Sequence, residues 1–309
     1  MSPAGPPRVD PAEIRRTLRQ AGLHARHSLS QNFLVDVDVL EAILAEAAPA
    51  PGGQVLEIGP GLGFLTAGLL DAGATVTAVE LDRGLAGFLR DRFGAALGQA
   101  GPGSLRLIEG DALDQPLTRL VPEPYDVVAN LPYHITSPIL HRLLERPPRP
   151  RRLVLMVQRE VAERIAARPG GLSYLSVFVQ YHAAVRIVRR VPPAAFEPAP
   201  AVDSAVIVIE PFAADDRLEP AAEEALWRLV QAAFRERRKM IHNVLSRQLP
   251  VPGERIAAAL AEAHINPDRR PQTLAVGEWL RLLETLGPIG EDERGRRAQR
   301  AKRPPSAPR

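Results

Sequence analysis

Asn130-Leu131-Pro132-Tyr133 puts an amide, a backbone carbonyl and an aromatic face within four residues. The Asn130 side chain offers a neutral carbonyl oxygen, and Pro132 keeps the Leu131 carbonyl out of any helix. Two such acceptors can take the hydrogens of an exocyclic amine on a nucleobase. They draw the nitrogen toward tetrahedral geometry and free a lone pair otherwise delocalised into the ring. Tyr133 adds a face for a base swung out of its stack. The proline stiffens the turn, which favours positioning. The alternative is a strand followed by a proline turn with a core tyrosine.

A second constellation precedes it. Val55-Leu56-Glu57-Ile58 is a short apolar run that leads into Gly59-Pro60-Gly61-Leu62-Gly63. Glycines there let the backbone turn tightly and approach a ligand closely. A dinucleotide-binding fingerprint needs Gly-x-Gly-x-x-Gly, and Phe64 occupies its sixth position. The spacing Gly59-x-Gly61-x-Gly63, with Glu57 two residues ahead, instead resembles the cofactor loop of Rossmann-like methyltransferases. Glu80 lies 21 residues beyond Gly59 and can accept from both ribose hydroxyls of a nucleoside cofactor. Asp111, in Gly110-Asp111-Ala112, can accept from an adenine amino group. A lone acid at a strand end is commonly a helix cap; three ligand positions in order at successive strand ends predict a cofactor site.

The elements that must position these groups alternate. Strands are predicted at Gln54–Ile58, Thr75–Glu80, Leu105–Glu109, Tyr125–Asn130 and Leu153–Gln158, with two more at Arg186–Val191 and Val202–Glu210. Helices are predicted at Pro11–Gly22, Asp36–Ala48, Leu65–Asp71, Asp82–Phe93 and Thr136–Leu144, and Leu23–Leu34 reads as a loop. Alternation implies a mostly parallel sheet covered on both faces. After Pro211 the pattern is all helical: Ala221–Phe234, Arg237–Leu249, Glu254–His264 and Val276–Leu286. The fold class is therefore α/β, a Rossmann-like sheet with a smaller C-terminal helical domain. The domains are residues 1–25, an N-terminal helix and extension; 26–212, binding cofactor and carrying catalysis; 213–289, a helical RNA-binding domain; and 290–309, a basic tail expected to be disordered.

The chain has 309 residues, 45% hydrophobic and 24% charged, enough for two cores. No apolar stretch approaches the roughly 20 residues of a membrane span, and residues 1–10 do not read as a secretory signal. With no cysteine, disulfides, thiolate zinc sites and a cysteine nucleophile are excluded, which fits the cytoplasm. Net charge is only +3, but His141–Arg190 holds eleven arginines against Glu145, Glu160 and Glu163. With Arg235, Arg237, Arg238, Lys239 and Arg247, the arginines of Arg142–Arg168 are expected to form a basic wall for RNA phosphates. The bland reading of such a run is a solvated face.

Together these motifs resemble the ribosomal RNA adenine dimethyltransferases of the KsgA type and, more distantly, their macrolide-resistance relatives. The likeness runs from about Arg26 to Ser246 and more weakly to Leu286. It includes Ser30-Gln31-Asn32-Phe33-Leu34, the Gly59 loop, Glu80, Gly110-Asp111-Ala112, Asn130-Leu131-Pro132-Tyr133 and Gln158-Arg159-Glu160-Val161-Ala162-Glu163-Arg164. It continues through Leu175–Tyr181, Phe196-x-Pro198-x-Pro200-x-Val202-Asp203-Ser204 and Arg237-Arg238-Lys239. The resemblance implies S-adenosyl-L-methionine bound by Asn32, Leu34, Gly59, Gly61, Glu80, Asp111 and Asn130. It implies catalysis by Asn130, Leu131, Pro132 and Tyr133 without metal, with Phe196 stacking on the adenine opposite Tyr133. Read from residues alone, Phe196 could equally pack or stack. The resemblance further implies a monomer acting on ribosomal RNA within a small-subunit assembly intermediate. Three departures from the pattern are His134, where a small polar residue is usual, Ala201 in place of Lys, and His242 after Arg237-Arg238-Lys239.

The expected product is dimethyladenosine in small-subunit RNA. The alternatives are a large-subunit methyltransferase conferring macrolide resistance, a nucleic-acid-binding assembly or transcription factor with a retired site, and a small-molecule methyltransferase. Leu131 before Pro132 leans away from the resistance enzymes, the intact site away from the retired factor, and the basic faces away from a small substrate.

Overall fold

The computed structural model describes residue 16 and residues 31–116, 120–213, 217–287 and 289. The expected helix Pro11–Gly22, Arg16 apart, and the expected disordered tail lie outside the described residues. Contacts divide the chain into two compact units, one reaching to Ala166 and resuming at His182–Phe212, the other made of Ala167–Tyr181 and the chain from Ala213 onward.

The first unit is a seven-stranded sheet in the order β4-β3-β2-β5-β6-β9-β7. Its strands are β2 (Gln54–Ile58), β3 (Thr75–Glu80), β4 (Leu105–Glu109), β5 (Tyr125–Asn130), β6 (Arg152–Gln158), β7 (Ala183–Val191) and β9 (Ser204–Pro211). β4, β3, β2, β5 and β6 are parallel, and β9 runs antiparallel to both β6 and β7. Parallel strands covered on both faces read as unbroken apolar runs, and Leu153–Val157 of β6 is buried throughout. The helices are α1 (Val37–Ala47), α2 (Phe64–Asp71), α3 (Arg83–Arg92), α4 (Thr136–Glu145) and α5 (Arg159–Ile165). Asp36 caps α1 by accepting from the Val39 N–H, and Asp82 caps α3 from Gly84 and Leu85. From β2 the chain builds outward through β3 and β4, then returns to lay β5 on the other side of β2. The crevice beyond the carboxyl ends at that reversal is where open α/β sheets bind ligands.

Several features differ from the sequence reading. Phe33–Leu34 is not loop but β1, paired antiparallel with β8 (Phe196–Glu197); strands of two residues carry no periodicity to detect. β7 begins earlier, at Ala183, and shifts register between Ile187 and Arg189, which breaks the alternation there. Two helices, α5 and α6 (Tyr174–His182), follow Gln158, where the sequence reading assigned no element. Residues 167–181, which the sequence places in the catalytic domain, belong with the helical unit. The reason is aromatic: Tyr174, Phe178 and Tyr181 surround Trp227 at ring-centroid distances of 6.1, 5.2 and 5.2 Å.

The second unit also contains α7 (Pro220–Phe234), α8 (Ile241–Gln248), α9 (Gly253–Glu262) and α10 (Val276–Leu286). Leu229, Ile241, Leu245, Ile256, Leu260, Trp279 and Leu282 form its core. Helix α8 starts at Ile241, not Arg237. Arg237, Arg238 and Lys239 form an exposed turn with no apolar residue to bury, and the Ile241 N–H is taken by the Arg269 carbonyl at 2.7 Å.

Candidate active site

One cavity in the first unit is lined by the ends of β2, β3, β4 and β5 and by the segment around β1. The glycine loop forms its floor. Gly61 has φ +59, and a Cβ there would meet the Phe33 ring at 3.3 Å. Gly63 has φ +76, and its Cβ would come within 2.5 Å of the Phe93 ring. Left-handed backbone and missing space both require glycine. From behind, the Arg92 guanidinium lies 4.9 Å from the Phe64 ring centre and donates to the Leu62 carbonyl at 2.5 Å.

Glu80, at the end of β3, is buried. Its Oε2 accepts from the Gly61 N–H at 3.0 Å and its Oε1 from the Asp82 N–H at 2.9 Å. The side chain expected to hold a ribose therefore also fixes the loop that a cofactor would lie on. Each oxygen keeps a further lone pair. Burial pushes the carboxyl up, while the N–H groups of Asp82 and Gly61 pull the other way. Asp111 follows β4 and accepts from the Leu113 N–H at 2.7 Å through Oδ1, which orients its carboxylate at the cavity edge.

Asn130 ends β5 beside the loop. Its Nδ2 donates to the Asn32 carbonyl at 3.2 Å, which leaves Oδ1 as the acceptor. The Leu131 N–H donates to the Met156 carbonyl at 3.1 Å, pinning the turn to β6. Pro132 precedes a single 3-10 turn, Tyr133–Ile135. Tyr133 lines the cavity, and its hydroxyl shares a hydrogen bond of 2.8 Å with the Ser204 hydroxyl. Burial holds the Tyr133 phenol above its ordinary range, against the Ser204 bond, which lowers it.

Of the expected site residues, Asn32, Leu34, Gly59, Gly61, Glu80, Asp111, Asn130, Leu131, Pro132 and Tyr133 all line this one cavity. Phe196 does not. It is 3% exposed, pairs with Leu34 across the β1–β8 ladder and joins the core of Leu34, Val39, Leu40 and Val191. Here the Phe196 ring packs in that core, and its stacking on an adenine opposite Tyr133 stays a proposal. Arg235, Arg237, Arg238 and Lys239 are exposed and belong to the helical unit; Arg235 donates to Gln248 at 3.0 Å.

The arginine-rich stretch is less free than its sequence suggests. Arg151 forks onto buried Asp126 at 3.1 and 2.6 Å, Arg152 lies 3.5 Å from Glu210, and Arg159 lies 2.7 Å from Asp203. Arg164 pairs with Glu160 and Arg186 with Glu46. Asp126, Glu210, Asp203 and Glu46 all lie outside His141–Arg190.

Sequence reasoning gave no site role to Leu81 and used Glu57 and Phe33 only as members of motifs, yet all three line the cavity. Glu57 is 1% exposed and accepts from the Thr66 hydroxyl at 2.7 Å. Burial pushes its carboxyl up to about 8, against the Thr66 bond and with the nearby Glu80 charge. Leu81 stands 46% exposed just after Glu80. An acid inside an apolar strand and a leucine after a strand-ending acid were the available signals.

Comparison with known proteins agrees in one direction. The model of a family described as ribosomal RNA adenine dimethylase matches residues 22–287. A protein from Synechococcus sp. (strain RCC307), named ribosomal RNA small subunit methyltransferase A, is 44% identical over 277 residues, covering 87% of this chain and 98% of that protein. Among solved structures, a dimethyladenosine transferase from Plasmodium falciparum superposes with a TM-score of 0.69 at 26% identity, over 81% of this chain and 95% of that one. The 23S rRNA methyltransferase ErmE gives a TM-score of 0.64 at 32% identity, over 82% of this chain and 99% of that one.

Proposed function

Since the chain belongs to the ribosomal RNA adenine dimethylase family, we propose that it transfers methyl groups from S-adenosyl-L-methionine to the N6 amino nitrogen of adenine in small-subunit ribosomal RNA, giving dimethyladenosine. The observation that carries this is the convergence on one cavity of the glycine loop, Glu80 and Asp111 with Asn130-Leu131-Pro132-Tyr133. The identity of 44% to a small-subunit enzyme, against 32% to ErmE, favours the small-subunit substrate.

The residues fit the cofactor. The Gly61 backbone leaves a cradle that a Cβ would fill, and two carboxylates stand at the ends of β3 and β4 as acceptors for hydroxyl and amino groups. Asn32, Leu34, Gly59, Gly61, Glu80 and Asp111 would hold it. When bound, S-adenosyl-L-methionine supplies a methyl group on a sulfonium, ready for direct displacement. Asn130 Oδ1 and the Leu131 carbonyl would accept the adenine amino hydrogens and localise the nitrogen lone pair. With its hydrogens held by these two oxygens, the nitrogen would be positioned to accept that methyl group and would give up one proton to water. The monomethyl product keeps one hydrogen for either acceptor, so the same pair serves a second transfer. The Asn130 amide cannot offer the wrong end, because its Nδ2 is held by Asn32. Tyr133 would give the flipped adenine a face, worth about 1–3 kcal/mol.

The protein is further proposed to act as a monomer in the cytoplasm, on a small-subunit assembly intermediate. Among the described residues no helix is long and apolar enough to cross a membrane. Arg235, Arg237, Arg238 and Lys239 are proposed to bind RNA phosphates. The test is a reaction on small subunits from a strain lacking the enzyme, with excess cofactor, read by nucleoside mass spectrometry. Dimethyladenosine should dominate at completion, with monomethyladenosine transient. Methylation of large-subunit RNA instead, or a reaction that stops at monomethyladenosine, overturns the assignment.

A further inference from the structure

Tyr133 is held at both ends. At its backbone, Pro132 has φ −55 and its carbonyl accepts from the Ile135 N–H at 3.2 Å, closing the short turn. At its tip, the hydroxyl meets Ser204, 71 residues away in sequence. Ser204 opens β9 and is fully buried. It is the register partner of Gln158 on β6 and of Val191 on β7, so its backbone is fixed from both sides. Ala205–Ile209, which continues β9, is entirely apolar and buried. A hydroxyl in that setting is a net cost unless it is bonded. Alanine would serve the strand equally well, and among the described residues the partner that this hydroxyl meets is the Tyr133 hydroxyl alone. The residue type is therefore explained by Tyr133 and not by the sheet.

We propose that Ser204 is a positioning residue for methyl transfer: its hydroxyl, mounted on the sheet, holds the Tyr133 ring as a fixed wall of the base-binding part of the cavity. This rests on the reading of Tyr133 as the face against which the adenine lies. A free phenol tip leaves the ring two torsions to explore. A tethered one presents a single face, so less ordering remains when the base enters, and the amino nitrogen is held where the Asn130 and Leu131 oxygens can take its hydrogens. Misplacement of a reacting atom by about 1 Å costs roughly a hundredfold in rate; a tilt of the tethered ring is smaller.

The experiment compares the full chain with Ser204→Ala, Ser204→Thr, Tyr133→Phe, Tyr133→Ala and the double variant Ser204→Ala/Tyr133→Phe. Small subunits from a strain lacking the enzyme are the substrate, and S-adenosyl-L-methionine affinity is read by calorimetry. Ser204→Ala and Tyr133→Phe should each lower kcat roughly tenfold while cofactor Kd stays within about twofold. Ser204→Thr, which keeps the hydroxyl, should keep kcat. The double variant should be no slower than either single one, because both remove the same bond. A double loss equal to the product of the single losses overturns the proposal. So does full kcat in Ser204→Ala, or a loss in Ser204→Thr as large as in Ser204→Ala. Tyr133→Ala tests the underlying reading separately: wild-type kcat there would remove Tyr133, and Ser204 with it, from the site.

Discussion

Replacing Glu57 with glutamine should flatten part of the pH dependence of stability. In the folded chain burial raises this carboxyl from 4.5 to about 8. It is therefore protonated in the fold at neutral pH, whereas in the unfolded chain it is ionised. A group whose folded pKa is raised contributes stability that is fully present below the unfolded value and lost as pH rises toward the folded one. At about 1.4 kcal/mol per pH unit, with the slope levelling off at either end, the window from 5.5 to 8 carries a loss of about 3 kcal/mol attributable to Glu57. Glu80, also raised by burial, adds to the loss in the same direction. A glutamine side chain has the same shape, is neutral at every pH and can donate to the Thr66 hydroxyl in place of the bond at 2.7 Å. The assay is urea unfolding of the cofactor-free protein, followed by circular dichroism at pH 5.5, 7 and 8. Wild type should lose stability across the series, and Glu57→Gln should lose about 3 kcal/mol less. Parallel profiles for the two proteins would refute the reasoning, since they would mean that Glu57 is ionised in the fold or has the same pKa in both states.

The remaining tests address function. Glu80→Ala should raise cofactor Kd by about 10–100-fold, since it removes acceptors at the cofactor and also releases the Gly61 N–H; hydrogen bonds to a charged group contribute about 1.5–3 kcal/mol each. Asn130→Ala should instead lower kcat by about 10²–10³, as expected for an acceptor that acts only as the nitrogen becomes tetrahedral; equal changes in Kd and kcat from both variants would collapse the division. Arg237→Glu with Arg238→Glu should weaken RNA binding and leave cofactor affinity unchanged, and the log–log salt slope should become shallower by about 0.7–0.9 for each phosphate that the variant no longer neutralises. An unchanged slope would count against phosphate binding at that turn.

The parts of this protein that chemistry needs most were legible in the chain itself because they are local. The parallel strands announce themselves as short apolar runs, and their predicted ends fall at Ile58, Glu80, Glu109 and Asn130 as observed. A strand end carries its functional residue in the next few positions, so the glycine loop, Glu80, Asp111 and Asn130 could be placed on one edge without coordinates. What lies beyond local reach depended on pairings between residues far apart. Phe196, which the family pattern assigns to the adenine, packs beside Leu34, a ladder partner that arrives from the other end of the unit. Asp126, Glu46, Glu210 and Asp203 pair with arginines that a count along the sequence leaves without partners. Residues 167–181 group with the helical unit, where Tyr174, Phe178 and Tyr181 pack around Trp227, far away in sequence. The Asn32 carbonyl that orients Asn130, and the Ser204 hydroxyl that meets Tyr133, are 98 and 71 residues from their partners. Periodicity and spacing sense neighbours within a turn or two of chain; which distant group fills a hydrogen bond or a gap in packing is decided only when the sheet has closed its register.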